Sequence, residues 1–324
     1  VALGWTWILA AAFALCAGFA LQRGGICAVL AVREVIREKQ WARFLALLEC
    51  AAWALIGLLT ANAFGSMSIN AWPVPASIMT AAVGGAIFGL GATTNGACAF
   101  GSAGRLAAGE VSFLVLPPAF GVVIARRVGL AWHAAPMAFG ISGAAFSLLI
   151  AVLVIFAAWR TWTAVRGIAR SPTGALGALA APSWPPALAM AIIAFANIGL
   201  LLLVANWPYT TLLVDAATGR GMENSLRAIL VLIFLTGAVI GAGSAGAFKF
   251  RGAGFRDLVL RAVGGLIMGI GAAMIPGGND ALVLVGLPLM QLPAFAAYAG
   301  MVAAIWLCLG VCGAIQTGRS HERR

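Results

Sequence analysis

The sequence predicts an all-α, polytopic membrane protein of about nine transmembrane helices built as an inverted pseudo-two-fold repeat. Three observations predict it. First, 63% of the residues are apolar, only 9% are charged and mean hydropathy is +1.03, whereas a soluble domain carries roughly 25% charged residues. Second, apolar runs long enough to cross a bilayer recur from end to end. Third, Val83-Gly84-Gly85-Ala86-Ile87-Phe88-Gly89-Leu90-Gly91-Ala92 returns 180 positions later as Val263-Gly264-Gly265-Leu266-Ile267-Met268-Gly269-Ile270-Gly271-Ala272, with seven of ten residues identical. A Gly-interrupted apolar segment repeated in two halves points to a transport site at the repeat interface.

The spans read as 4–20, 42–63, 76–95, 111–127, 135–158, 184–205, 227–248, 261–276 and 295–316. The runs 76–95, 111–127 and 261–276 are short or broken. With no basic segment ahead of it, the first run reads as a span rather than a cleavable signal peptide. A single membrane domain over 1–324 divides into a first half, 1–160, a linking segment, 161–183, and a second half, 184–324.

Loop charge sets the orientation. The 20 basic residues outnumber the 9 acidic ones, and most sit in short loops. Segments 33–43, 160–170, 249–261 and the C-terminal tail are basic and read as cytoplasmic by the positive-inside rule. Segments 64–75 and 206–226 read as external. Nine spans with the N-terminus outside and the C-terminus inside satisfy these assignments, and the Arg126-Arg127 pair is the one exception. Basic residues placed this way do not suggest a nucleic-acid partner. In this topology the two glycine segments run in opposite directions.

Gly85/Gly89 and Gly265/Gly269 are GxxxG pairs, which let helices approach closely in lipid. The residues after them stop the helix: Asn95-Gly96 in the first copy, Pro276-Gly277-Gly278-Asn279-Asp280 in the second. Broken backbone at membrane depth belongs in protein or beside a polar cavity. A break followed by a new helix exposes N–H groups to an anion. Asn95, Gly96 and Cys98, and Gly277, Gly278 and Asn279, are therefore candidate substrate-binding residues. Cys27 follows a second turn, Arg23-Gly24-Gly25, and Arg23 and Arg105 are candidate anion-attracting cations. Asp280 is a candidate intramembrane carboxylate for proton coupling, with the alternative of an N-cap for the next short helix. Cys16, Cys50 and Cys308 read as small packing residues, and Cys308 and Cys312 share one face of the last span. The sequence shows no CxxC, no Cys/His cluster, no nucleotide-binding motif and no hydrolase motif. It predicts neither an enzyme nor a bound metal or cofactor.

Several segments together resemble the YeeE/YedE sulfur-transport family of bacterial inner-membrane proteins. They are Gly18-Phe19-Ala20-Leu21-Gln22-Arg23 leading to Cys27, Gly84 to Cys98 and on through Gly101-Ser102 to Gly109-Glu110, Gly243-Ser244-Ala245-Gly246-Ala247-Phe248 leading to Arg251, and Gly264 to Asn279. The resemblance implies short re-entrant helices around a narrow central path and a small inorganic sulfur anion, thiosulfate or a related compound, as substrate. It also implies cysteine thiols that pass the anion inward, with a cytoplasmic sulfur-carrier protein as a partner. The family's usual pattern has three such cysteines. Cys27 and Cys98 occupy the first two positions, and Gly278 stands at the third. The alternatives are a membrane-embedded sulfur transferase using Cys98 as a persulfide carrier, and a channel or scaffold subunit for a non-sulfur solute.

Overall fold

Helix follows the apolar runs, and several of them end at an identifiable signal. A computed structural model describes residues 2–64, 72–75, 77–125, 132–135, 144–170, 174–204, 207–218, 223–275 and 277–321. The first helix, α1 (Ala2–Gly24), gives way to a left-handed turn at Gly25 (φ 55°). Helix α2 (Ala28–Glu38) stops at Lys39 in the left-handed conformation, and α3 (Ala42–Ala63) follows. Ser77 caps α4 (Ile78–Asn95) by accepting from the Thr80 N–H at 3.0 Å, and Gly96 (φ 77°) ends it. Next come α5 (Ala99–Ala107), a 3-10 turn (Val111–Val115) and α6 (Leu116–Ala125). The long α7 (Ala144–Arg170) and the short α8 (Gly174–Ala180) lead to α9 (Pro186–Val204), α10 (Tyr209–Ala217) and α11 (Glu223–Ser244). Then come α12 (Phe255–Met274), the one-turn α13 (Asn279–Ala281), a π-helical turn (Leu282–Gly286) and α14 (Leu292–His321). The strands β1 (Trp72–Pro75) and β2 (Trp132–Ala135) form one antiparallel pair.

Eight helical segments are long and apolar enough to cross a membrane among the described residues. The expected span at 111–127 is the shorter apolar helix Val111–Ala125. Arg126-Arg127 and Pro276 lie outside the described residues. Segments expected as charged loops are largely helical, 249–261 among them from Phe255 onward. Arg33 and Arg37 belong to α2, Arg160 and Arg166 to α7, and much of 206–226 to α10 and the start of α11. Several of the charges in these segments have partners. Glu34 of α2 pairs with Arg43 of α3, and Asp215 of α10 pairs with Arg227 of α11 at 3.0 Å. Arg160 pairs with Glu49 of α3 at 2.8 Å, and Arg166 lies over the Trp162 ring at 4.4 Å.

The glycine segments pack on each other, antiparallel, at the centre. A Cβ on Gly84 would stand 3.2 Å from the Gly271 carbonyl oxygen, and one on Gly271 would stand 2.6 Å from the Gly84 oxygen. Gly91 meets Gly264 in the same way, at 2.8 Å. The GxxxG pairs face outward from this seam. Gly85 and Gly89 admit the Ala297 and Met301 carbonyls of α14, while Gly265 and Gly269 admit Leu116 and Phe120 of α6. Association in lipid rests on such close approach rather than on hydrophobic burial. Outlying α7 presents Leu148, Val154, Ile155 and Val165 as exposed apolar residues, as a lipid-facing helix does.

The element starts repeat the offset of the glycine segments. Helices α2 and α10 begin at Ala28 and Tyr209, α3 and α11 at Ala42 and Glu223, α4 and α12 at Ile78 and Phe255, and α5 and α13 at Ala99 and Asn279. Each pair lies within a few residues of 180 apart. The ion pairs Glu34–Arg43 and Asp215–Arg227 join corresponding elements.

Candidate functional site

Two helix N-termini converge on two thiols. Cys27 is the residue before α2, and Cys98 the residue before α5. Both are buried, and their sulfurs lie 3.7 Å apart, within hydrogen-bond reach for sulfur. Both are free cysteines. The Ala28 N–H, first in α2, donates to Cys98 Sγ at 3.2 Å. Helix ends of this kind carry about half a positive charge from their unpaired N–H groups. The pair thus faces the positive ends of two helices.

The second break reaches the same point. Asn279 Nδ2 donates to Cys98 Sγ at 3.4 Å, and Asn279 Oδ1 accepts from the Ala99 N–H at 3.1 Å. Residues 180 apart in the sequence therefore touch at the centre of the molecule. Asn95 braces the first break from within: its Nδ2 donates to the Ala97 carbonyl at 2.6 Å and to Ser102 Oγ at 2.8 Å. Gly101 explains the closeness of the thiols, because a Cβ there would stand 2.4 Å from Cys27 Sγ.

Beside Cys27 opens a cavity of about 160 Å³. Gln22, Cys27, Arg33, Gly96, Gly101 and Arg105 are among its lining residues. It is smaller than the roughly 300–1,000 Å³ typical of organic-ligand pockets and suits an inorganic ion. Arg105 sits at this cavity, with Glu110 at 3.5 Å and Phe113 under its guanidinium. Glu110 in turn lies 3.7 Å from Arg251, and the backbones of 108–111 and 249–251 pair through Lys249 N to Ala108 O and Arg251 N to Gly109 O, both 2.9 Å.

Across Cys98 from Cys27 lies the second break. Gly277 (φ 95°) turns the chain, and the Gly278 N–H donates to Thr210 Oγ1 at 2.7 Å. Asp280 is 1% exposed. Its Oδ2 accepts from the Thr210 N–H at 2.9 Å, and its Oδ1 from the Thr210 hydroxyl. As a cap it therefore serves α10 rather than its own helix.

Most of the residues expected from the sequence meet here. Cys27, Cys98, Asn95, Gly96, Gly278 and Asn279 form one continuous set, and Gly277 adjoins it. Arg23 differs. Its guanidinium donates to the Ala181 carbonyl and, at 3.0 Å, to Ser244 Oγ, and lies over Phe19 at 5.0 Å. It clamps the segment before α9 to α11. Four residues were missed: Arg33, Arg261, Thr210 and Thr211. Arg261 donates to the Asn95 carbonyl, at the negative end of α4, and stacks on Phe113 at 4.3 Å. The threonines carry a signal after the fact, since the 180-residue offset sets Thr210-Thr211 opposite Leu30-Ala31, just past Cys27.

Comparison with known proteins decides the family. The model of the "Sulphur transport" family matches residues 23–307. The chain belongs to this family. It is also similar to the protein named Thiosulfate transporter TsuA of Escherichia coli (strain K12), 25% identical over 339 residues that cover 91% of this chain and 89% of that one. Family membership and eight apolar helices make this sulphur-transport protein a multi-pass membrane protein. The matched region contains both thiols, both helix breaks and most of the cavity lining.

Proposed function

We propose that this sulphur-transport family member is a permease of the bacterial inner membrane that moves a sulfur-containing anion, thiosulfate or a related compound, into the cytoplasm. The observation that carries this reading is the Cys27–Cys98 pair, 3.7 Å apart between two helix N-termini and beside a cavity with two arginines. A dianion at membrane depth must exchange its water shell for fixed donors. Backbone N–H groups, the Asn279 amide and two S–H groups supply them. Thiols favour the soft terminal sulfur of thiosulfate over the hard oxygens of sulfate, so the pair also supplies selectivity. The neutrality of these donors matters, because a permanent buried cation would hold a dianion too tightly to release it.

The path then runs from the second break, past Asn279 and Cys98, to Cys27 and the arginine-lined cavity. Arg33 and Arg105 draw the anion to the cytoplasmic mouth. The charged segments around them, 33–43 and 249–261, support an N-terminus outside and a C-terminus inside. The two halves are proposed to form an inverted repeat, supported by the offset of their elements and the antiparallel seam between α4 and α12. Asp280 is the residue proposed for any proton link, since its buried carboxylate is held by Thr210 with no ion pair among the described residues.

Growth tests this reading. Cells lacking other routes to sulfur and given thiosulfate alone grow when they carry the wild-type protein. Cys27→Ala and Cys98→Ala are expected to abolish that growth while the protein still inserts. Undiminished growth of both variants contradicts the thiol path.

A further inference from the structure

One buried polar atom at the second break has no partner, and it lies where a third station would stand. Thr211 is 7% exposed, in the first turn of α10, and its Oγ1 makes no hydrogen bond. A threonine in a helix ordinarily satisfies its hydroxyl on the carbonyl one turn earlier. Thr218, the residue that caps the end of this helix, does so, donating to the Val214 carbonyl at 2.9 Å. Leaving a buried hydroxyl unsatisfied is costly, and an acceptor oxygen brought to the break by a ligand would satisfy it.

The surroundings show where that hydroxyl points. A Cβ on Gly277 would stand 3.2 Å from Thr211 Oγ1 and 3.3 Å from Thr210 Oγ1. The absence of that side chain leaves both hydroxyls facing the bare backbone of the break. Thr210 is fully engaged, accepting from Gly278 and donating to Asp280. Thr211 is the hydroxyl left over. Both Asp280 oxygens are turned onto Thr210 and the N-terminus of α10, which offsets the carboxylate charge there. A third thiol has no room at Gly278, because a Cβ would meet Thr210 Cγ2 at 2.7 Å and the Phe88 ring at 3.0 Å.

We infer that Thr211 is a substrate-contacting residue of this chain, donating its hydroxyl to an oxygen of the anion at the Gly277–Gly278 break. The path thus has two sulfur donors and one oxygen donor. The sulfur end of the substrate is read at Cys98 and Cys27, and the oxygen end at Thr211. This rests on the proposed permease function and adds a specificity element to it. A hydroxyl station accepts the oxygens of thiosulfate, sulfite and sulfate alike, so discrimination falls to the thiols further in.

The test is uptake of radiolabelled thiosulfate into vesicles containing wild-type, Thr211→Val or Thr211→Ser protein, with unlabelled sulfate as competitor. Valine keeps the shape and removes the hydroxyl, while serine keeps the hydroxyl. Loss of one hydrogen bond to a charged group is expected to raise half-saturation about ten-fold or more in Thr211→Val and to weaken competition by sulfate. Thr211→Ser is expected to stay within about two-fold of wild type, because the donor remains. Wild-type uptake by Thr211→Val overturns the inference, as does equal impairment of both variants at normal membrane levels, which marks a packing role. Wild-type vesicles that accumulate no sulfur anion overturn the permease reading itself, a result distinct from either.

Discussion

Gly101 decides how near a thiol may come to its neighbour. Alanine there would place its methyl 2.4 Å from Cys27 Sγ, so Gly101→Ala must push Cys27 off the cavity wall. Uptake is expected to fall at least about ten-fold, the value of one good hydrogen bond to an anion, while membrane levels hold. Normal uptake by Gly101→Ala removes the claim that the spacing of the thiols matters. Asn279 binds both Cys98 and the Ala99 N–H, so Asn279→Ala leaves the buried Ala99 N–H without its acceptor and takes one donor from Cys98. Its expected cost is about 1–3 kcal/mol of stability, read as a lower Tm in detergent, together with slower uptake. The polar residues of the two breaks were legible in the sequence because Asn, Gly and Asp interrupt apolar helices conspicuously. Thr211 was not legible, since a threonine among apolar residues looks like filler until its hydroxyl is found unpaired.

At the scale of helices, the glycine segments do what their spacing suggests. Gly85 shows the limit most sharply, as a Cβ there would stand 1.9 Å from the Ala297 carbonyl oxygen. Backbone cannot yield as a side-chain tip does, so Gly85→Ala is expected to part α4 from α14 and cost about 1–3 kcal/mol or more. The check is thermal unfolding in detergent, and an unchanged Tm means the helices are free to slide apart. Span positions were largely readable, with α3 found at the expected 42–63. Helices α2 and α10 were hidden because their charges looked like loop charges. Glu34–Arg43 and Asp215–Arg227 show why they are not: each pair joins a short helix to the long helix that follows. Similarly, Arg160 and Arg166 did not end α7, because Glu49 and the Trp162 ring receive them.

At the scale of the whole molecule, the two proposed repeats differ where they meet. Corresponding elements meet at Ala99 and Asn279, yet one half offers thiols and the other hydroxyls and a carboxylate. The proposed orientation makes Cys27 reachable through the arginine-lined cavity from the cytoplasmic side. A charged, membrane-impermeant thiol reagent is expected to label Cys27 in inside-out vesicles and to spare it in right-side-out ones, with thiosulfate slowing the reaction. The opposite sidedness reverses the direction of the path. Fold class, breaks and the two cysteines one by one were in the sequence, whereas their pairing and the meeting of residues so far apart required three dimensions.

The most direct test of the thiol path is radiolabelled thiosulfate uptake by liposomes containing only the purified protein, with Cys27→Ala and Cys98→Ala beside wild type. The account predicts accumulation by wild type and at most about one-tenth of that rate for either variant, the loss expected for one donor to an anion. Equal uptake by all three proteins, or none by wild type, contradicts it.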